Sequence, residues 1–267
     1  MKKLFLIIIL ICVFSALYGE DKGEKMEYLR LFPRIAIIGD SLSSGEIVID
    51  DDRAPGVLFG GFHPERGVVD EGPSCVDCIK GSWLSHICRR VNAAPVHFTR
   101  GGATAQSWLD TYNYFLALDK EKYPCFFIAL GSNDLFSGYA IGKPADTFKE
   151  KTFCGYYNEI IKSVRITNPH SIILCLSMYN REGFVNKNGD KYTDFSQAIK
   201  GIAESHEKCY FLDFAGTSDN VLEKSSYERR GHYDSIGYLA ISYEIQALAE
   251  KALADHKEDL REISLYF

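Results

Sequence analysis

The sequence is short of several features that would assign a function at once. It has no excess of basic residues: 30 Lys and Arg stand against 36 Asp and Glu, for a net charge of −6. No basic stripe or cluster appears, which argues against a general nucleic-acid binder. No second long apolar stretch follows Leu4 to Leu17, so the mature chain is expected to be soluble, without stable membrane insertion. No second Cys or His pair stands at zinc spacing from Cys75-Val76-Asp77-Cys78, which favours a local disulfide or free thiols there over a metal. No repeat or linker divides the 267 residues, and one domain is the simpler reading.

What is present begins with the N-terminus. Lys2 and Lys3 precede the apolar run, and Gly19 offers a cleavage point before the charged stretch Glu20 to Lys25. This pattern predicts a secretory signal peptide over residues 1–19, with the folded domain over 30–267, and hence export to a periplasmic or extracellular location. The run falls short of the roughly 20 residues that cross a bilayer. Cys12 lies mid-run with no small residues before it, which disfavours lipid attachment. Cleavage removes Cys12 from the eight cysteines and leaves seven, a set that cannot pair completely within one chain.

Beyond the signal, apolar runs and amphipathic stretches alternate. Ile35 to Ile38 is an unbroken apolar run and reads as a strand buried on both faces; Pro95 to Phe98, Cys125 to Leu130, Ser171 to Leu176 and Cys209 to Phe214 read as four further strands. Between them Ser82 to Val91, Gln106 to Leu118, Asp146 to Thr167 and Phe195 to His206 read as helices, and Ser235 to His256 follows with Asp234 as its N-cap. Five such strands imply right-handed crossovers and an α/β/α three-layer sandwich around a five-stranded parallel sheet. Leu42 to Lys80, rich in Gly, Asp and Pro, is either one wall of a pocket or a disordered insertion.

Polar residues collect at the strand ends: Gly39-Asp40-Ser41 after the first, Gly101-Gly102 after the second, and Gly131-Ser132-Asn133-Asp134 after the third. His232-Tyr233-Asp234-Ser235-Ile236-Gly237-Tyr238 opens the last helix. In this order and spacing the four stretches resemble the signature blocks of the SGNH (GDSL-type) hydrolase superfamily, over nearly the whole mature chain. The resemblance implies a flavodoxin-like sheet and a serine esterase acting on a small-molecule or carbohydrate ester, without metal or cofactor. It makes Ser41 the nucleophile and His232 the base, with the N–H groups of Ser41 and Gly102 and the Asn133 amide as the oxyanion hole. His63, His86, His97, His170, His206 and His256 match no block and read as surface or loop residues.

One position departs from the pattern. The family places an aspartate three residues before the histidine, and this chain has Arg229, which cannot accept the Nδ1 proton. Glu228, another carboxylate or a backbone carbonyl takes that place, or the triad is reduced to a dyad. The alternatives are a catalytically weakened relative that binds, and a flavodoxin-like nucleotide or flavin binder. The second has only Ser41-Leu42-Ser43-Ser44-Gly45 as a phosphate loop.

Overall fold

The computed structural model of the chain describes residues 27–49, 74–178, 184–216, 228–229, 231–263 and 266. The expected signal peptide, His63 and the middle of the Leu42 to Lys80 stretch lie outside the described residues.

Five strands form one parallel sheet: β1 (Arg34–Gly39), β4 (Ala94–Thr99), β5 (Cys125–Ala129), β6 (Ile172–Leu176) and β7 (Cys209–Leu212), in the order β4-β1-β5-β6-β7. Each lies within a residue or two of the expected run. The central strands β1, β5 and β6 are almost wholly apolar because alternate side chains enter different cores, whereas β4, at the sheet edge, is buried only at Phe98. Ala36 and Ile38 face one cluster, with Trp108, Phe126, Ile128, Phe153 and Phe195. Ile35 and Ile37 face the other, with Trp83, Phe127, Leu174, Tyr238 and Ile245.

Helices α3 (Ala105–Leu118), α5 (Phe153–Thr167) and α6 (Tyr192–Glu204) cover the first cluster; α2 (Trp83–Val91), α7 (Ser235–Asp255) and α8 (Lys257–Ile263) cover the second. The change of face follows from topology. The chain steps from β1 outward to β4, then returns past β1 to β5, and right-handed crossovers put those two connections on opposite faces. A crevice therefore opens at the carboxyl ends of β1 and β5, where ligands bind in open α/β sheets.

The segment after β1 is more ordered than a loop. It holds a one-turn helix α1 (Ser41–Ser44) and the antiparallel pair β2 (Glu46–Ile49) and β3 (Ser74–Asp77). Gly45, at φ 74°, makes the left-handed turn between α1 and β2, and a Cβ there would stand 2.7 Å from the Cys78 carbonyl oxygen. The short α4 (Ser132–Ser137) follows β5 directly, and a two-residue ribbon, β8 (Glu228–Arg229) with β9 (His232–Tyr233), precedes α7.

Two expectations need correction. The helix read from Asp146 begins at Phe153, capped by Thr152; before it Thr147 caps a separate 3₁₀ turn that ends at Lys151 with φ 55°. A left-handed residue cannot continue a helix, so the two turns stay apart. His97 is neither loop nor surface: it is half-buried on β4, and burial pushes its pKa down to about 4. The cysteines Cys78, Cys88, Cys125, Cys154, Cys175 and Cys209 are free thiols, and all but Cys78 are buried. The side chain of Cys75 lies outside the described residues.

Candidate active site

β1 ends at Gly39, where a Cβ would stand 2.2 Å from Ser43 Oγ, and the turn that follows sets the site. Asp40 is the N-cap of α1: its Oδ1 accepts from the Leu42 N–H at 3.0 Å, which fixes Ser41 as the first helical residue at the mouth of the crevice. Asp40 is 2% exposed, and burial, opposed by the Leu42 N–H, pushes its carboxyl up to about 7. Ser44 Oγ donates to Asp77 on β3 and lies 3.0 Å from the Ser41 carbonyl oxygen, tying the Ser41 turn to the hairpin.

His232 reaches the same point from the far end of the chain. Its Nε2 lies 2.9 Å from Ser41 Oγ across 191 residues. Asp234 caps α7 by accepting from the Gly237 N–H at 2.8 Å, and so anchors the segment that carries the imidazole. This geometry lets Nε2 take the hydroxyl proton as Oγ attacks a carbonyl.

The β4 and β5 ends supply the other two candidates. Gly102 stands at φ 72°, and a Cβ on it would meet nothing within 4 Å, so its backbone borders open space. Thr104 caps α3 in a reciprocal box with Ser107, which holds the turn above Ser41. Asn133 stands on α4, and its Nδ2 donates to Asp40 Oδ2 at 3.2 Å and to the Ala103 carbonyl at 3.1 Å. Both amide hydrogens are therefore engaged within the protein. Asp134, fully buried, accepts from the Ala105 N–H through both oxygens at 3.1 Å, joining α4 to the start of α3; burial pushes its carboxyl to about 7.

Among the described residues no carboxylate takes the orienting place at Nδ1. His232 Nδ1 is buried, and among the described residues nothing bonds to it. In the β8–β9 ribbon Arg229 stands opposite His232 and Glu228 opposite Tyr233. The backbone thus puts Glu228 one position away from the histidine; the side chains of Glu228 and Arg229 lie outside the described residues.

A different carboxylate reaches the imidazole. Glu46 Oε1 on β2 lies 3.3 Å from His232 Nε2, the same nitrogen that faces Ser41. Tyr238 fixes Glu46 from behind by donating its hydroxyl to the Glu46 carbonyl at 2.8 Å. Glu46 also lies against the β4 turn, since a Cβ on Gly101 would stand 2.7 Å from its Oε2. Sequence reasoning missed this residue because no periodicity marks a four-residue strand; Gly45 as a helix stop after Ser41–Ser44 was the available sign. Among the described residues no group of three or more His, Cys, Asp or Glu is placed to hold a metal ion.

Solved structures share this architecture. The psychrotrophic esterase EstA from Pseudoalteromonas sp., inhibited by monoethylphosphonate, aligns with a TM-score of 0.52 at 17% identity over 83% of this chain and 99% of its own. A member of the lipolytic G-D-S-L family from Veillonella parvula aligns with a TM-score of 0.51 at 12% identity, over 79% and 94% of the two chains. The chain has the SGNH hydrolase fold. A Lactobacillus plantarum protein also aligns, with a TM-score of 0.57 at 15% identity, over 84% of this chain and 98% of its own. No protein-family model and no curated protein matches the chain.

Proposed function

We propose that the chain is an exported serine esterase of the SGNH type, which hydrolyses acyl or acetyl esters of small molecules or carbohydrates. The observation that carries this reading is the 2.9 Å contact between Ser41 Oγ and His232 Nε2 in the crevice at the end of β1. In the first step Ser41 Oγ bonds the ester carbonyl carbon while its proton passes to Nε2. The carbonyl electron pair moves onto oxygen, facing the Ser41 and Gly102 N–H groups and the Asn133 amide. The carbon–alkoxy bond then breaks, and the Nε2 proton leaves with the alcohol. Water, deprotonated by Nε2, repeats the cycle on the acyl-serine and releases the acid. Residues 1–19 support export, and their removal is read from the N-terminus of the secreted protein.

A second reading has its own support. With Nδ1 unbonded among the described residues and both Asn133 hydrogens engaged, the same site suits a weakened catalyst that retains a binding role. Hydrolysis of nitrophenyl acetate and butyrate and of acetylated sugars, with Ser41→Ala beside the native chain, separates the two. Turnover abolished by the substitution supports the esterase, and no turnover by either folded protein supports the binder.

A further inference from the structure

The placement of Glu46 bears on which alcohol leaves. In the breakdown of the tetrahedral intermediate His232 Nε2 hands its proton to the departing oxygen, so that oxygen must come within hydrogen-bond reach of Nε2. A group already 3.3 Å from Nε2 is then a neighbour of the leaving oxygen and of the first atoms attached to it. Glu46 Oε1 is that group, and its carboxylate also lies against the Gly101 turn.

The carboxylate is held there. Its backbone is paired with Asp77 of β3 and bonded by Tyr238, and its side chain is 15% exposed. Among the described residues its ion-pair partner is His232 alone, and that pairing exists only when the imidazole carries its proton. Asp40 on the β1–α1 corner, Asp77 on β3 and Tyr238 on α7 are the ionisable groups around it, and Arg100, just before the Gly101 turn, points its guanidinium at Thr111 Oγ1, 3.4 Å away. Arg229 stands across the ribbon from His232 in register. An anionic oxygen in a half-enclosed site attracts a cation and repels an anion placed within a few ångströms.

We infer that Glu46 sets the alcohol specificity of the site: it makes the leaving-group position anionic, so that esters of cationic alcohols are favoured and esters of anionic alcohols are refused. The inference rests on the serine-esterase reading. Glu46 does not enter the bond changes; it acts on the charge carried by the leaving group.

The test compares three acetates that differ in alcohol charge: acetylcholine, its neutral isostere 3,3-dimethylbutyl acetate, and O-acetylglycolate. In the native protein kcat/KM for acetylcholine is expected about tenfold above the neutral isostere, and the glycolate ester about tenfold below it. Glu46→Gln keeps the shape and the backbone bonds and brings both ratios to about one; Glu46→Lys inverts them. Ratios between esters cancel any effect of the substitution on His232 that all three share. Turnover of the neutral ester with no charge preference, or a preference that survives Glu46→Gln, overturns this inference and leaves the esterase standing. No Ser41-dependent turnover of any of the three overturns the esterase reading and this inference with it.

Discussion

Replacing Asn133 by alanine separates its structural role from its proposed catalytic one. In the resting site Nδ2 binds Asp40 Oδ2 at 3.2 Å and the Ala103 carbonyl at 3.1 Å, so it braces the β1, β4 and β5 strand ends against one another. A neutral hydrogen bond contributes about 1 kcal/mol and one to a charged group about 1.5–3. Asp40, pushed up to about 7, is partly charged at neutral pH, and the two bonds together come to about 2–4 kcal/mol. For a chain of this size that is a fall in Tm of roughly 5–15 °C. If the same amide also turns to the oxyanion, kcat falls by a further 10²–10³, roughly the effect of deleting one hole donor elsewhere. Two hydrogens cannot serve three acceptors, so catalysis requires the bond to Ala103 or Asp40 to open. Thermal melts and ester kinetics on Asn133→Ala measure both terms. A lower Tm with kcat reduced less than tenfold would make Asn133 a brace only and refute its place in the oxyanion hole.

Other perturbations test the frame. Burial holds the Asp134 carboxyl at about 7, above its unfolded value, so the folded chain keeps a proton that the unfolded chain releases as pH rises. Its contribution is therefore full below about pH 4 and declines by a few kcal/mol toward pH 7. His97, pushed down to about 4, gives the opposite slope, so the readout is the Tm difference between native and Asp134→Asn, which should favour the variant as pH rises. Trp108 is fully buried and donates Nε1–H to the Phe98 carbonyl at 2.8 Å; Trp108→Ala should cost about 3–5 kcal/mol in urea unfolding. Gly45→Ala forces a left-handed alanine against Cys78 and Ser82, costs about 1–3 kcal/mol, and displaces Glu46, which differential scanning and the acetylcholine preference both report.

The sheet was legible because both its faces are buried. Ile35 to Ile38 and Cys125 to Ala129 feed two cores, and only an unbroken apolar run does that. The polar residues after β1, β4 and β5 marked Ser41, Gly102 and Asn133, and the capped start of α7 marked His232. What escaped were features fixed by few residues or by distant ones. The pairs β2–β3 and β8–β9 are four and two residues long and belong to neither core-forming run. The early start read for α5 took in Thr147 to Lys151, where a left-handed backbone ends a separate turn. Glu46 could not be read as a site residue, since a hairpin rather than a motif brings it to His232.

The central claim is that His232 activates Ser41 as a nucleophile. A nitrophenyl alkylphosphonate tests it directly, because phosphorus is attacked by the same oxygen and the adduct stays in place. The account predicts release of nitrophenol, one adduct per chain on the peptide that contains Ser41, none with Ser41→Ala, and labelling slowed at least a hundredfold with His232→Ala. An adduct elsewhere, or labelling of Ser41 that is indifferent to His232, would contradict it.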